Sequence, residues 1–200
     1  VILGPSFFGV LGLLFPAFGY FPSLGSNDFS IKYFYDLFLI PGILKSILLS
    51  FYTGFFSTIL ALLFSQIILL SIFNTKFYYY LKIIISPLLA MPHITMAVGL
   101  IFLLSPSGLI FRLLSPWLTG FNRPPDFFII PDEYGLSLIL GLILKETPFF
   151  LLASMAAIEQ FPANKIFKIG KSLQHSNLST WLLLIFPNLY KRIRLVVFIV

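Results

Sequence analysis

Cysteine is absent from the 200 residues, so disulfides and thiolate metal sites are excluded and redox usage gives no reading of compartment. Charge is nearly as scarce, at 10% of the chain, where an ordinary soluble domain carries about a quarter. Only two histidines occur, His93 and His175, and they fall on opposite sides of the membrane topology derived below, so no histidine-based metal cluster forms within this chain. A phosphate-cradling GxxxxGK[ST] loop is missing too; the chain is not an enzyme that hydrolyses ATP by itself, and no cofactor is expected. What fills the sequence instead is 58% hydrophobic residues with a mean hydropathy of +1.00. The fold class is therefore an all-α polytopic membrane protein. The net charge of +6 comes from cations in short segments flanking apolar runs, which is a topology signal rather than a nucleic-acid surface.

Taken in order, Val1 to Tyr20 reads as a first membrane span. Val1 is not a methionine and Val200 follows Arg194 by only six residues, so the expectation is a fragment of a longer chain, with first and last spans truncated. Phe21 to Lys45 is polar and aromatic, with Tyr33, Phe34, Tyr35 and Phe38 suited to the headgroup level, and closes a first region, 1–45. A core region, 46–200, follows. Its Ser46–Phe73 run has no charge over about 42 Å of helix, enough to span with tilt to spare. Asn74–Lys82 is a short loop with two lysines and no acid. Ile83–Leu104 is the next span, interrupted by Pro87, Pro92 and Gly99; Ser105–Gly135 is a long loop, Leu136–Ile158 the fourth span, and a fifth begins at residue 195. Eight cations (Lys76, Lys82, Lys165, Lys168, Lys171, Lys191, Arg192, Arg194) fall on one side against four (Lys32, Lys45, Arg112, Arg123) on the other, which puts the N-terminus and the 159–194 loop in the cytoplasm.

That loop has internal order. Pro162 opens a segment with apolar residues at Ile166, Ile169 and Leu173, which is helical spacing. Gln174-His175-Ser176-Asn177 breaks it, and a second short helix, Leu178–Phe186, is expected to end at Pro187. Two short amphipathic helices around a polar turn make a protrusion suited to docking.

The run Lys168-Ile169-Gly170-Lys171-Ser172-Leu173-Gln174-His175-Ser176, with Pro187 eleven residues on, resembles the cytoplasmic loop of permease subunits from binding-protein-dependent ABC importers, the MetI-like superfamily. Ser172, Leu173, Ser176 and Pro187 match the family's residue types. Lys168 stands where the family has an acid, Ile169 and Gly170 where it has alanines, and Gln174 where it has glycine. Ser86-Pro87-Leu88-Leu89-Ala90-Met91-Pro92-His93 is similar to the third core helix, and Asn122-Arg123-Pro124-Pro125-Asp126 to the outer loop of fused two-half permeases grouped with thiamine, iron and polyamine importers. The resemblance implies a helical-bundle permease of about five spans here, in a bacterial inner membrane. Its partners would be a separate ATP-binding subunit on the 159–194 loop, an external solute-binding protein and a second permease half. Half of a secondary transporter and a non-transporting membrane assembly protein are the alternatives.

Three residues are candidates for a translocation path. His93 follows Pro92 and either lines a polar cavity or bonds a neighbouring helix carbonyl. Lys145 and Glu146 are adjacent in the fourth span and point about 100° apart, so each needs a partner elsewhere, in the path or within the bundle. Trp117 and Trp181 are read as interface anchors.

Overall fold

The computed structural model describes residues 3–124 and 132–200. Among these the chain is helical, its one strand-like feature being an isolated bridge between Phe21 and Ser26. It divides into two compact units, Val1–Ser50 and Phe51–Val200.

The first unit holds helix α1 (Leu3–Ala17), a single 3-10 turn at Pro22–Leu24, α2 (Lys32–Leu39) and the first turns of α3 (Ile43–Ile72). As described, α1 covers about 22 Å, shorter than the hydrocarbon core of about 30 Å, within the truncated span expected over 1–20. After α1 the chain doubles back: Ser30 N–H donates to Phe18 O at 2.7 Å, Ser26 Oγ to Gly19 O at 2.6 Å, and Tyr20 stacks on Phe29 at 5.0 Å. Gly19 makes the reversal with φ +86°, where a Cβ would stand 2.9 Å from the Tyr33 ring. No residue of α2 is buried, and its aromatic side chains are free to meet a headgroup layer.

The second unit is built on α3, α4 (Phe77–Ala90), α5 (His93–Leu104), α6 (Leu109–Leu114), α7 (Leu136–Ile158), α8 (Ala163–Ser172), α9 (Asn177–Thr180) and α10 (Phe186–Ile199). Three helical stretches among the described residues are long and apolar enough to cross a membrane: α3, the run His93–Leu114 formed by α5, a turn and α6, and α7. The span expected over 83–104 is thus differently arranged. Pro87 is absorbed within α4, and the break comes at Met91, held extended at ψ 124° because the residue before a proline is crowded out of the helical region. The expected loop at 74–82 shrinks to a turn around Asn74, whose φ of 64° reverses the chain before α4 begins.

The interior gathers where α3 ends. Leu69 and Phe73 of α3, Ile85 of α4, Met155 and Ile158 of α7, Phe167 of α8 and Leu189 and Ile193 of α10 form one continuous apolar cluster. Trp181, expected as an interface anchor, is instead 1% exposed at its centre, edge-on to Phe73 at 5.3 Å; Trp117 remains 90% exposed. Along α3 the buried positions Thr53, Ser57, Ala61 and Ser65 recur every four residues, small enough to let backbones approach, and Gln66 Nε2 donates to Ser154 Oγ on α7 at 3.1 Å.

Candidate functional site

The 159–194 segment folds as an elbow. Its inward face is Ala163, Phe167 and Gly170, all buried. Gly170 is there for space, since a Cβ on it would meet Thr180 Oγ1 at 2.6 Å; only glycine lets α8 lie this close on α9. At the corner Gln174 adopts φ 58°, the left-handed conformation that usually calls for glycine, while His175 N–H donates to Gly170 O at 3.0 Å and closes the helix end. Ser176 then caps α9, its Oγ accepting from Ser179 N–H at 3.1 Å. Lys168, Ser172 and His175 are exposed, with Ser172 Oγ donating back to Lys168 O at 3.0 Å and Lys171 Nζ standing 5.7 Å from the Phe167 ring centre.

Pro187 does not end the second helix; it lies in the first turn of α10. The preceding turn, Trp181–Ile185, is wide, with Phe186 N–H donating to Trp181 O five residues back. That widening accommodates a proline that supplies no N–H of its own, so the chain runs helically from Asn177 to Ile199 with one loose turn. The outward face of the elbow is apolar: Ile169, Leu173 and Leu178 are 56%, 64% and 56% exposed. Nothing among the described residues covers them.

The second feature is the α4–α5 break. Breaking a helix leaves its last carbonyls without intrahelical donors. Lys145 of α7 reaches them, donating to Met91 O and, at 3.4 and 3.5 Å, to Leu88 O and Leu89 O. The cation therefore sits at the negative end of α4, the favourable end of that helix dipole. Its partner is backbone, which meets the need for a partner that a charge in this span raises. Glu146, partly buried on the neighbouring face of α7, makes no hydrogen bond or ion pair among the described residues. His93 opens α5 beside the break, exposed and without a partner there.

At the opposite end of α4, Lys82 pairs with Glu159 at 3.2 Å, bringing the 74–82 and 159–194 segments together; both side chains are half exposed, so the pair contributes about 1 kcal/mol or less. Beside it, burial first, then the Glu159 carboxylate and then Tyr79 push the Tyr78 phenol up to about 12. At the start of α7, Asp132 accepts from Leu136 N–H at 2.5 Å and Ser137 N–H at 2.9 Å, and the Ser137 hydroxyl bond foremost, with these backbone donors, holds its carboxyl below the ordinary range. Within Asn122–Asp126, Pro125 and Asp126 lie outside the described residues.

Sequence reasoning missed the partner of Lys145, because three carbonyl oxygens belong to no residue type. It missed the Gln66–Ser154 bond as well, although a glutamine within a charge-free apolar run is a signal that a partner is needed. No family model matches the chain, and no curated protein or solved structure is similar to it.

Proposed function

We propose that this chain is the transmembrane component of a binding-protein-dependent, ATP-driven importer of the MetI-like permease type. The single observation that carries the reading is the elbow: an exposed apolar ridge of Ile169, Leu173 and Leu178 mounted on a tightly packed corner, at the end of the second unit where the lysine-bearing segments meet. A ridge of that kind, outside the membrane-length helices, fits a helix-in-groove contact with a partner protein. The partner is a separate ATP-binding subunit, since the chain carries no phosphate loop of its own. Solute arrives from an external binding protein and crosses between this chain and a second permease half. The protein lies in a bacterial inner membrane with its N-terminus in the cytoplasm. The broken α4–α5 pair supplies the irregular backbone that transport paths use at depth, and Glu146 and His93 are its free polar groups. A secondary transporter is less well supported, because it would need ion-coupling charges in several spans and only Leu136–Ile158 carries any away from its ends.

The test is co-purification of the ATP-binding subunit encoded with this protein. Leu173→Asp places a charge in the middle of the ridge without touching the buried face, and is expected to release the subunit while membrane insertion is unchanged. Retention of the subunit by Leu173→Asp and by Leu178→Asp removes the docking role.

A further inference from the structure

A cleft of about 590 Å³ opens at the lysine-rich end of the second unit, between the α3–α4 turn and the α7–α8 turn. Its polar lining includes Asn74, Lys76, Tyr78, Asn164 and Lys165, together with Glu159. Neither lysine makes an ion pair among the described residues, and the two asparagine side chains make no hydrogen bond there. The Tyr78 hydroxyl, next to the cleft, is out of contact with solvent and bonds nothing. Glu159 is the one acid, and Lys82 neutralises it at 3.2 Å. The α4 and α8 helices also both start at this cleft without a side-chain cap. Two unpaired cations and two amides whose NH₂ groups bond nothing else supply the donors for an anion with several oxygens. The remaining wall, Phe73, Ile158 and Phe161, is apolar, Tyr79 lines the cleft as well, and Phe77 and Tyr80 are exposed beside it. An apolar wall beside an anion receptor suits a phosphate that carries hydrocarbon.

We infer that this cleft binds the phosphate headgroup of an anionic phospholipid from the leaflet on the lysine-rich side, with Lys76 and Lys165 holding the phosphate oxygens and the Asn74 and Asn164 amides beside them. The inference rests on the membrane architecture and not on the transport reading, so either can fail alone. The Lys82–Glu159 pair belongs to the same device: it keeps a carboxylate from facing the phosphate.

The experiment uses the protein purified in mild detergent micelles doped with phosphatidylglycerol or with phosphatidylcholine, and counts retained lipid by native mass spectrometry. Phosphatidylglycerol is expected to be retained preferentially. Each lysine near a lipid surface is worth about fivefold, so Lys76→Gln with Lys165→Gln is expected to lower its apparent affinity about 25-fold. Lys82→Gln is expected to lower it by freeing Glu159. Lys171→Gln with Lys191→Gln, two cations on the same side but away from the cleft, is expected to change nothing. Equal retention of the two lipids overturns the inference, as does an unchanged affinity in the Lys76 and Lys165 double variant, or an equal loss in the Lys171 and Lys191 control. Displacement of the lipid by 10 mM inorganic phosphate assigns the cleft to a soluble phosphate and overturns the lipid reading.

Discussion

Lys145 offers the sharpest test of the structure, because its cost and its gain can be set against each other. The residue lies about 13 Å along α7 from Leu136, near mid-bilayer depth, where insertion of a lysine costs about 3 kcal/mol. Against this stand one close hydrogen bond to Met91 O, worth about 1.5–3 kcal/mol for a charged donor, two weak contacts to Leu88 O and Leu89 O, and up to about 2 kcal/mol from the α4 dipole. The two sides nearly cancel. Lys145→Met deletes both at once and leaves carbonyls unpaired, so the expected loss is modest, about 1–2 kcal/mol. Lys145→Glu keeps a charge at depth and turns it against the same carbonyls, so the loss is expected to exceed about 4 kcal/mol. Lys145→Arg keeps the sign and the donors and stays within about 1 kcal/mol. With roughly 2–4 °C per kcal/mol for a chain of this size, thermal unfolding in detergent should order the variants as Arg, then Met about 2–8 °C lower, then Glu at least about 8 °C lower. A glutamate variant as stable as the methionine variant would show that the ammonium does not hold the broken helix, and the account of the α4–α5 junction would fall with it.

Gly170→Ala is expected to cost about 1–3 kcal/mol by pushing α8 off Thr180, and Thr180→Ala in the same chain should return most of it; strict additivity in the melting temperatures would refute the close approach. The Asp132 carboxyl is held below its ordinary range, so its stabilisation is fully present above the unfolded value of about 3.9 and is lost as pH falls through the lower folded value; Asp132→Asn, which removes the titration and keeps one of the two acceptor oxygens, should flatten the acid limb of the unfolding curve below about pH 4, and an unchanged limb counts against it. Glu146→Gln should leave yield unaltered, having no partner among the described residues to lose, while lowering transport per inserted molecule if it lines the path; unchanged transport removes it from the path. Single cysteines at Thr75 and Asn164 should be shielded from an impermeant thiol reagent in intact cells and one at Asn122 should label; labelling of Asn164 from outside inverts the topology.

Features that depend on the chain's own local chemistry were legible in the residues. Leu136–Ile158 forms the helix its apolar run marks out, Pro162 opens α8, and Gln174 takes the left-handed turn that the polar run at 174–177 demanded. The same holds for the interruption at Pro92. What escaped depends on partners or on the direction of an effect. Pro187 both follows an apolar run and precedes one, and a proline stops a helix or starts one with the same side chain; only the wide turn before it decided the matter. Trp181 has the chemistry of an interface anchor, and its burial follows from Phe73, more than a hundred residues earlier, meeting it face to edge. Of the path candidates, Lys145 was marked as needing a partner, yet a carbonyl exposed by a helix break writes no residue into the sequence.

The loose turn at Trp181–Ile185 has a geometric consequence for the helix beyond it. A turn closed five residues back instead of four holds one residue more than the helix around it, and each residue is worth about 100° of rotation. Everything from Phe186 onward is therefore out of phase with the elbow by that angle, and it is this offset that points Leu189 and Ile193 into the interior while Leu178 faces out. Removing any one residue of the turn would tighten it into ordinary helix and swing the six-residue basic stretch Leu189–Arg194 around by more than a quarter of a revolution, carrying its charges toward the apolar cluster. The sequence thus stores an orientation in a single surplus residue, much as a spacer washer sets the angle at which a threaded part comes to rest.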